Sequence, residues 1–410
     1  VQRKFWLLIS CIFALSWAGL AQAQGEEAEV PPEYRIVGHY SSWSVYSDFL
    51  VTDLPLNLLT HMYYGPVGIS ENGQCESTDE WADMGFKYPD DEDTERRRGN
   101  FKQLGIIREQ YPNLKIMIDI GGWENSVEFP QVASDEELRK RFATSCLAYM
   151  RQHEFDGINI DWRYPVVGGL EPGRAADAQN FALLLEALRE EINEWSETDG
   201  EQYLLSISAP ATPDLHESFR VDLHQRYVDW VNVTTYGFRG SWSELTGHHT
   251  PLYGDERDPR GELSIEQFNA DGAINAYLNY GVPAEKINMG VAFYAQAWRN
   301  VPEGQLFGLF QTNDGIPNGT RDGGILYYGD LAPLLFDTDY IQYYDTVAEA
   351  AWLYNPRRRI AISYETPQSI RAKANYIRTL ELGGAYVREV AFDGEEYPLI
   401  RTLSGVLNGT

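Results

Sequence analysis

Cysteine, histidine and positive charge are scarce in this 410-residue chain: 3 Cys, 7 His, and 33 Lys plus Arg against 61 Asp plus Glu. Beyond the first residues only Cys75 and Cys146 remain, enough for one disulfide in an oxidising compartment, although sequence supplies no geometry for it. No Cys/His cluster has metal-ligand spacing, since His248 and His249 are merely adjacent, so neither a metal nor another cofactor is expected. A formal charge of −28 argues against nucleic acid and anionic membranes as partners, and the acidic excess reads as a solvated surface. Long apolar runs are also lacking past the N-terminal segment, so no later membrane span is expected.

The N-terminal segment is the exception. Arg3 and Lys4 form a basic start, Phe5 to Ala18 an apolar stretch, and Ala21-Gln22-Ala23 a small-residue cleavage site. Residues 1–23 therefore read as an export signal and residues 24–33 as a polar, acidic leader. The expected mature protein is secreted, to the exterior or a periplasm. Leu8-Ile9-Ser10-Cys11 has the look of a lipoprotein box but sits too early in the apolar run.

With 43% hydrophobic and 13% aromatic residues, including 11 Trp and 26 Tyr, the remainder can bury a large core and present flat rings to sugars. Apolar, strand-like runs occur at 34–40, 59–64, 114–120, 157–162, 203–209, 230–236, 287–293 and 384–390. Amphipathic stretches such as 135–151, 176–197 and 370–381 lie between them. Strand and helix alternating in this way predict a (β/α)8 TIM barrel over residues 34–298 and 367–410. Such a barrel needs about 250 residues. The surplus is assigned to insertions, the clearest at 299–366 between the seventh and eighth strands, with a second, charged loop around 90–98.

Period-two alternation places Asn159, Asp161 and Arg163 on one face of the fourth strand and Ile158, Ile160 and Trp162 on the other. The apolar set meets the helices, so the polar set faces the barrel interior, and Arg163 ends its strand at the mouth, where barrel chemistry occurs. The same counting turns Asp119 inward on the third strand, Thr234 and Tyr236 on the sixth, and Tyr386 and Arg388 on the eighth. Glu389 is counted outward.

The run Asp156-Gly157-Ile158-Asn159-Ile160-Asp161-Trp162-Arg163, followed by Tyr164-Pro165, resembles the D-G-x-D-x-D-x-E and Y-P signature of family-18 glycoside hydrolases, the chitinases. Val37 to Trp43, Leu114 to Trp123, Thr246 to Gly254 and Leu382 to Glu389 are similar to further family segments in the same order, so the resemblance covers nearly all of the mature chain. It implies substrate-assisted hydrolysis, in which a Glu protonates the glycosidic oxygen and the substrate's own acetamido group attacks. Asp161 matches the Asp that orients that group, and Tyr236 the Tyr that hydrogen-bonds it. The acid position is occupied by Arg163, which keeps its proton and cannot donate it. Asn159 stands for the inner Asp of the signature, Gly237 for the Asp after the Tyr, Arg388 for the Trp under the sugar, and Asp119 for the Ser of the third strand. The resemblance implies that the insertion at 299–366 is a small α+β lobe walling a cleft, and it suggests that Trp123 and Trp298 line that cleft and that Tyr40 joins an inner hydrogen-bond network, for which a core role is an equal alternative.

Two readings of the arginines stay open. Arg163 and Arg388 either pair with Asp119, Asp161 or Glu389 and plug the pocket, or clamp an acidic glycan through bidentate bonds. The expected function is correspondingly a chitinase-like protein without chitinase activity that binds a polysaccharide, an oligosaccharide or a protein partner. The alternative is a glycoside hydrolase of altered specificity on an anionic or N-acetylated polysaccharide, with Asp119 or Asp161 as acid.

Overall fold

The structure, a computed structural model, describes residues 34–92, 97–171 and 173–410. The export signal and acidic leader expected at 1–23 and 24–33 lie outside these residues, as does part of the charged loop at 90–98. Eight parallel strands close on themselves in chain order: Arg35–Ser41, His61–Ile69, Lys115–Gly122, Gly157–Trp162, Leu204–Pro210, Trp230–Thr234, Ile287–Ala292 and Gly384–Arg388. The first pairs with both the second and the eighth, which makes the sheet a barrel. Each expected strand is present, and the fold is the (β/α)8 TIM barrel.

The outward faces are apolar because helices cover them. Ile158, Ile160 and Trp162 pack into the main core together with Phe181, Leu184, Leu185 and Leu188 of the helix Asp177–Asp199. Trp162 stacks on Phe129, with ring centroids 5.1 Å apart. Burial of each such side chain contributes about 1.5–3 kcal/mol. Helix ends are set locally. Asp135 caps Glu136–Gln152 by accepting from the Leu138 N–H at 2.9 Å, and Gly200 ends Asp177–Asp199 in the left-handed conformation. Cys75, on a short antiparallel strand (Cys75–Ser77), is disulfide-bonded to Cys146 of the helix Glu136–Gln152, with Cα atoms 5.0 Å apart.

A second sheet of five antiparallel strands runs Ile325–Tyr327, Tyr294–Trp298, Ile360–Tyr364, Ala350–Asn355, Ile341–Asp345 in spatial order. It begins at Tyr294, ahead of the expected boundary at 299. Residues 287 to 298 are apolar apart from Asn288 and Gln296, and Val291 to Ala295 pass without a polar break, so periodicity offers no sign that the chain leaves the barrel at Phe293. The lobe is fastened to the barrel at several points. Phe293 N–H donates to Arg388 O at 2.7 Å, Thr246 N–H to Gln311 O at 2.8 Å, and His249 N–H to Ser363 Oγ at 2.8 Å. A buried cation completes the seam: Lys373 donates to Thr250 O at 2.7 Å and to Glu365. Among the described residues no helix is long and apolar enough to cross a membrane.

Candidate functional site at the barrel mouth

The interior of the barrel is a hydrogen-bonded polar column, built because each strand turns every second residue inward. Asn159 sits at its centre. Its Nδ2 donates to Asp119 Oδ1 at 2.6 Å and Ser208 Oγ at 3.1 Å, while its Oδ1 accepts from Ser206 Oγ at 2.8 Å and Asn232 Nδ2 at 3.2 Å. Below it the Tyr63 hydroxyl gathers Ser206, Trp230 Nε1 and Asn232 at 2.7 to 2.9 Å. An Asn suits this position because its amide is both donor and acceptor, whereas a carboxylate only accepts.

Asp119 faces His39 as well, with Nε2 to Oδ2 at 3.0 Å, and the other ring nitrogen of His39 lies 3.6 Å from Glu389 Oε2. Burial pushes the Asp119 carboxyl up, but His39 and Asn159 prevail and hold it below the usual range. Glu389 behaves alike: burial opposes its charge, and His39 outweighs burial and holds it low. Glu389 also accepts from Ser41 N–H at 2.9 Å and Ser41 Oγ at 2.8 Å, so it is a buried partner of the first strand. This corrects its outward assignment. The strand ends at Arg388, and the alternation ends with it.

Arg163 lies at the strand end with its guanidinium seated on Asp161. Nε is 2.8 Å from Oδ1 and Nη2 is 2.7 Å from Oδ2, a two-bond fork. Desolvation works against the guanidinium charge, but Asp161 overcomes it and holds the group protonated. The Arg163 N–H donates to Ser126 Oγ at 2.9 Å, which itself donates to Gly122 O at 2.6 Å. This close approach needs Gly121, at φ +109°, where a Cβ would lie 2.6 Å from Asp161 O. Arg388 differs. Among the described residues its guanidinium makes no hydrogen bond or ion pair. It lies within electrostatic reach of Tyr386, Arg163, Glu389 and Tyr236. The hydroxyls of Tyr236 and Tyr386 are buried and have no hydrogen-bond partner. Burial pushes both phenols well up, so they stay protonated. Gly237 adopts φ +75°, a conformation that side chains rarely take, and its N–H donates to His249 Nδ1 at 3.2 Å.

The aromatic expectations divide. Trp123 is 48% exposed and lines a small depression with Arg163, Ser126 and Glu171. Trp298 is only 1% exposed, packs in the lobe's own core and donates through Nε1 to Gly240 O at 2.9 Å, so it offers no face to a ligand. It is the last residue of the lobe's strand Tyr294–Trp298, which explains why its nearness to a barrel strand misled. Tyr40 is likewise a core residue: fully buried, stacked near Tyr64, its hydroxyl bonded to Phe49 O at 3.0 Å. A larger groove of about 760 Å³ lies beside the mouth, walled by Trp43, Arg321, Tyr327, Phe336 and Phe392.

Sequence reasoning passed over His39, Ser126 and Glu171. Strand alternation could have found His39, two residues before Ser41 on the inward face. Ser126 lies in the single 3-10 turn Glu124–Ser126, too short to show a period, and Glu171 in a loop, where none applies. His248, Asp255 and Asp345 bring three ligand atoms within 4.8 Å of one another, but Arg257 already pairs with both carboxylates at that point.

Comparison with known proteins agrees with this architecture. The model for the family "Glycosyl hydrolases family 18" matches residues 35–393. Chitinase A1 of Niallia circulans is 32% identical over 95% of this chain, which spans 61% of that protein's length. Chitinase 1 of Aphanocladium album is 33% identical over 86% of this chain and 80% of its own. Among solved structures, chitinase ChiA74 from Bacillus thuringiensis superposes with a TM-score of 0.84 at 30% identity, covering 91% of this chain and 70% of that one. A class V chitinase from Nicotiana tobaccum in complex with NAG4 superposes at 0.78 and 25% identity, covering 91% and 99%.

Proposed function

The chain belongs to glycosyl hydrolase family 18, and on that footing we propose that it binds an oligosaccharide at the barrel mouth without hydrolysing chitin. The ion pair of Arg163 with Asp161 carries this reading. A guanidinium occupies the place from which the family's acid would protonate the leaving oxygen, and it holds the neighbouring carboxylate that would otherwise orient the acetamido group. Loss of a positioned general acid alone costs about 10²–10⁴-fold in rate. Neither carboxylate expected as a substitute can serve as that acid, because Asp119 is buried and held ionised and Asp161 is taken up by Arg163. The relatives named as chitinases support carbohydrate as the ligand class. The disulfide and the export signal read at residues 1–23 support an exported protein.

The test is prolonged incubation of the protein with chitohexaose, followed by mass spectrometry, alongside calorimetric titration with the same sugar. Binding with intact sugar is expected. Shorter products whose formation depends on Asp161 would overturn the proposal. A second reading, hydrolysis by an acid from another element, has one observation behind it: Glu171 lines the same depression as Arg163 and Trp123. It requires turnover that Glu171→Gln abolishes.

A further inference from the structure

We propose that Arg388, with the hydroxyls of Tyr236 and Tyr386, forms a seat for an acidic group, a carboxylate or a sulfate, carried on a sugar chain that enters the barrel mouth. The inference rests on the glycan-binding reading above and adds the chemistry of the ligand.

Hydrogen-bonding capacity at the mouth is unevenly spent. Each carboxylate close to Arg388 has its oxygens committed elsewhere. Asp161 accepts from Arg163, Asp119 from His39 and Asn159, and Glu389 from Ser41 N–H, Ser41 Oγ and Ser44 Oγ. All three are buried beneath the opening. The donors facing them are not spent. Arg388 is partly exposed, and its guanidinium makes no hydrogen bond or ion pair among the described residues. The hydroxyl oxygens of Tyr236 and Tyr386 are shielded from solvent and without a partner. Tyr386 and Arg388 share the inward face of one strand, and the Tyr236 ring lies over Gly290, the register partner of Tyr386, where a Cβ would meet its Cε1 at 3.0 Å, so the three groups line the same side of the barrel.

Buried polar atoms in folded proteins are nearly always paired, so two orphaned hydroxyls beside an unpaired guanidinium call for an acceptor. Arg388 offers five N–H donors in a planar fork and no acceptor. A sugar hydroxyl can answer one of these groups at a time. A carboxylate or sulfate answers the fork with two oxygens and has lone pairs left for the phenols. Arg163 strengthens the seat by its charge without competing for the ligand, because Asp161 already holds its Nε and Nη2. The internal-pairing reading of the two arginines thus holds for Arg163 and fails for Arg388.

Calorimetric titration of the full protein tests this with four probes: a hyaluronan hexasaccharide, its carboxyl methyl ester, a chondroitin sulfate hexasaccharide, and chitohexaose. The expected result is that an acidic probe binds at least about tenfold more tightly than the ester and chitohexaose, as a charge-assisted bidentate contact requires. Arg388→Gln should erase that preference, and Tyr386→Phe should reduce it about three- to tenfold. Preference for hyaluronan assigns the seat to a carboxylate, and preference for the sulfated chain to a sulfate. If chitohexaose and the ester bind as well as the acids, and Arg388→Gln changes nothing, the seat is refuted while glycan binding stands. If no probe binds, both fall. Thermal melts of each variant check folding, and Tyr386→Phe, which removes one oxygen, decides the matter should Arg388→Gln not fold.

Discussion

The guanidinium of Arg163 and the carboxylate of Asp161 act as one unit, because each is placed where a lone charge is costly. Removing one partner of a buried pair costs about 3–5 kcal/mol, and the 19% exposure of the Arg163 side chain lowers this toward about 2 kcal/mol. Asp161→Asn should therefore destabilise the protein by about 2–3 kcal/mol in urea denaturation, and adding Arg163→Met should recover most of it. Arg163→Glu should not restore chitin hydrolysis. Gly237 would still stand where the family has the Asp after its Tyr, and Arg388 would still occupy the position of the Trp under the sugar. Chitohexaose turnover near that of a working family member would contradict this account. At this scale sequence reading went far where strand alternation applied: Asp119, Asn159, Asp161 and Arg163 all face inward as counted. It could not say which arginine is paired. The partner of Arg163 lies two residues back along the chain, whereas Arg388 has near neighbours already bonded elsewhere, and only the three-dimensional arrangement distinguishes these cases.

The turn after the eighth strand leads to Asp393, whose carboxylate accepts the N–H groups of Leu399 and Ile400 at 3.1 and 2.8 Å and so holds the start of the helix Pro398–Leu407. Burial pushes this carboxyl up to about 7, against the pull of those N–H groups. Asp83, buried against Tyr64 and Ser77, is pushed up to about 6 by the same cause. Both folded values exceed the unfolded one of about 3.9. The folded state therefore binds more protons between about pH 4 and pH 7, and these groups favour folding at the acid end and lose that contribution as pH rises. Asp393→Asn should remove its share of the slope, up to about 1.4 kcal/mol per pH unit. Relative to the parent, the variant should gain stability between pH 5 and pH 8 in urea titrations, and parallel curves would refute it. Elements themselves were largely legible, because barrel strands are apolar on a simple period and the helices Glu136–Gln152 and Asp177–Asp199 repeat it at 3.6. The strand Tyr294–Trp298 was not, since the apolar run Val291 to Ala295 crosses the boundary and carries no mark of which sheet it joins.

Over the whole molecule, 61 acidic residues against 33 basic ones leave a net charge of −28 that opposes compaction. The melting temperature should rise as sodium chloride increases from about 10 mM to about 0.15 M, shortening the screening length from about 30 Å to about 8 Å. A melting temperature that falls over this range would mean that the attractive pairs outweigh the excess. Barrel architecture was readable because eight alternations leave few topologies. The lobe's five-stranded sheet was harder, as its strands are short and pair out of chain order. Its attachment has a consequence for how anything enters. Only Phe293 separates the last barrel strand before the lobe from the lobe's own strand, and bonds from Thr246, His249 and Lys373 clasp the far side. A wall tethered along its length cannot swing open on a hinge. Under the proposed binding role, a ligand therefore meets a cleft whose lobe side is already in place and gains nothing from a closing jaw.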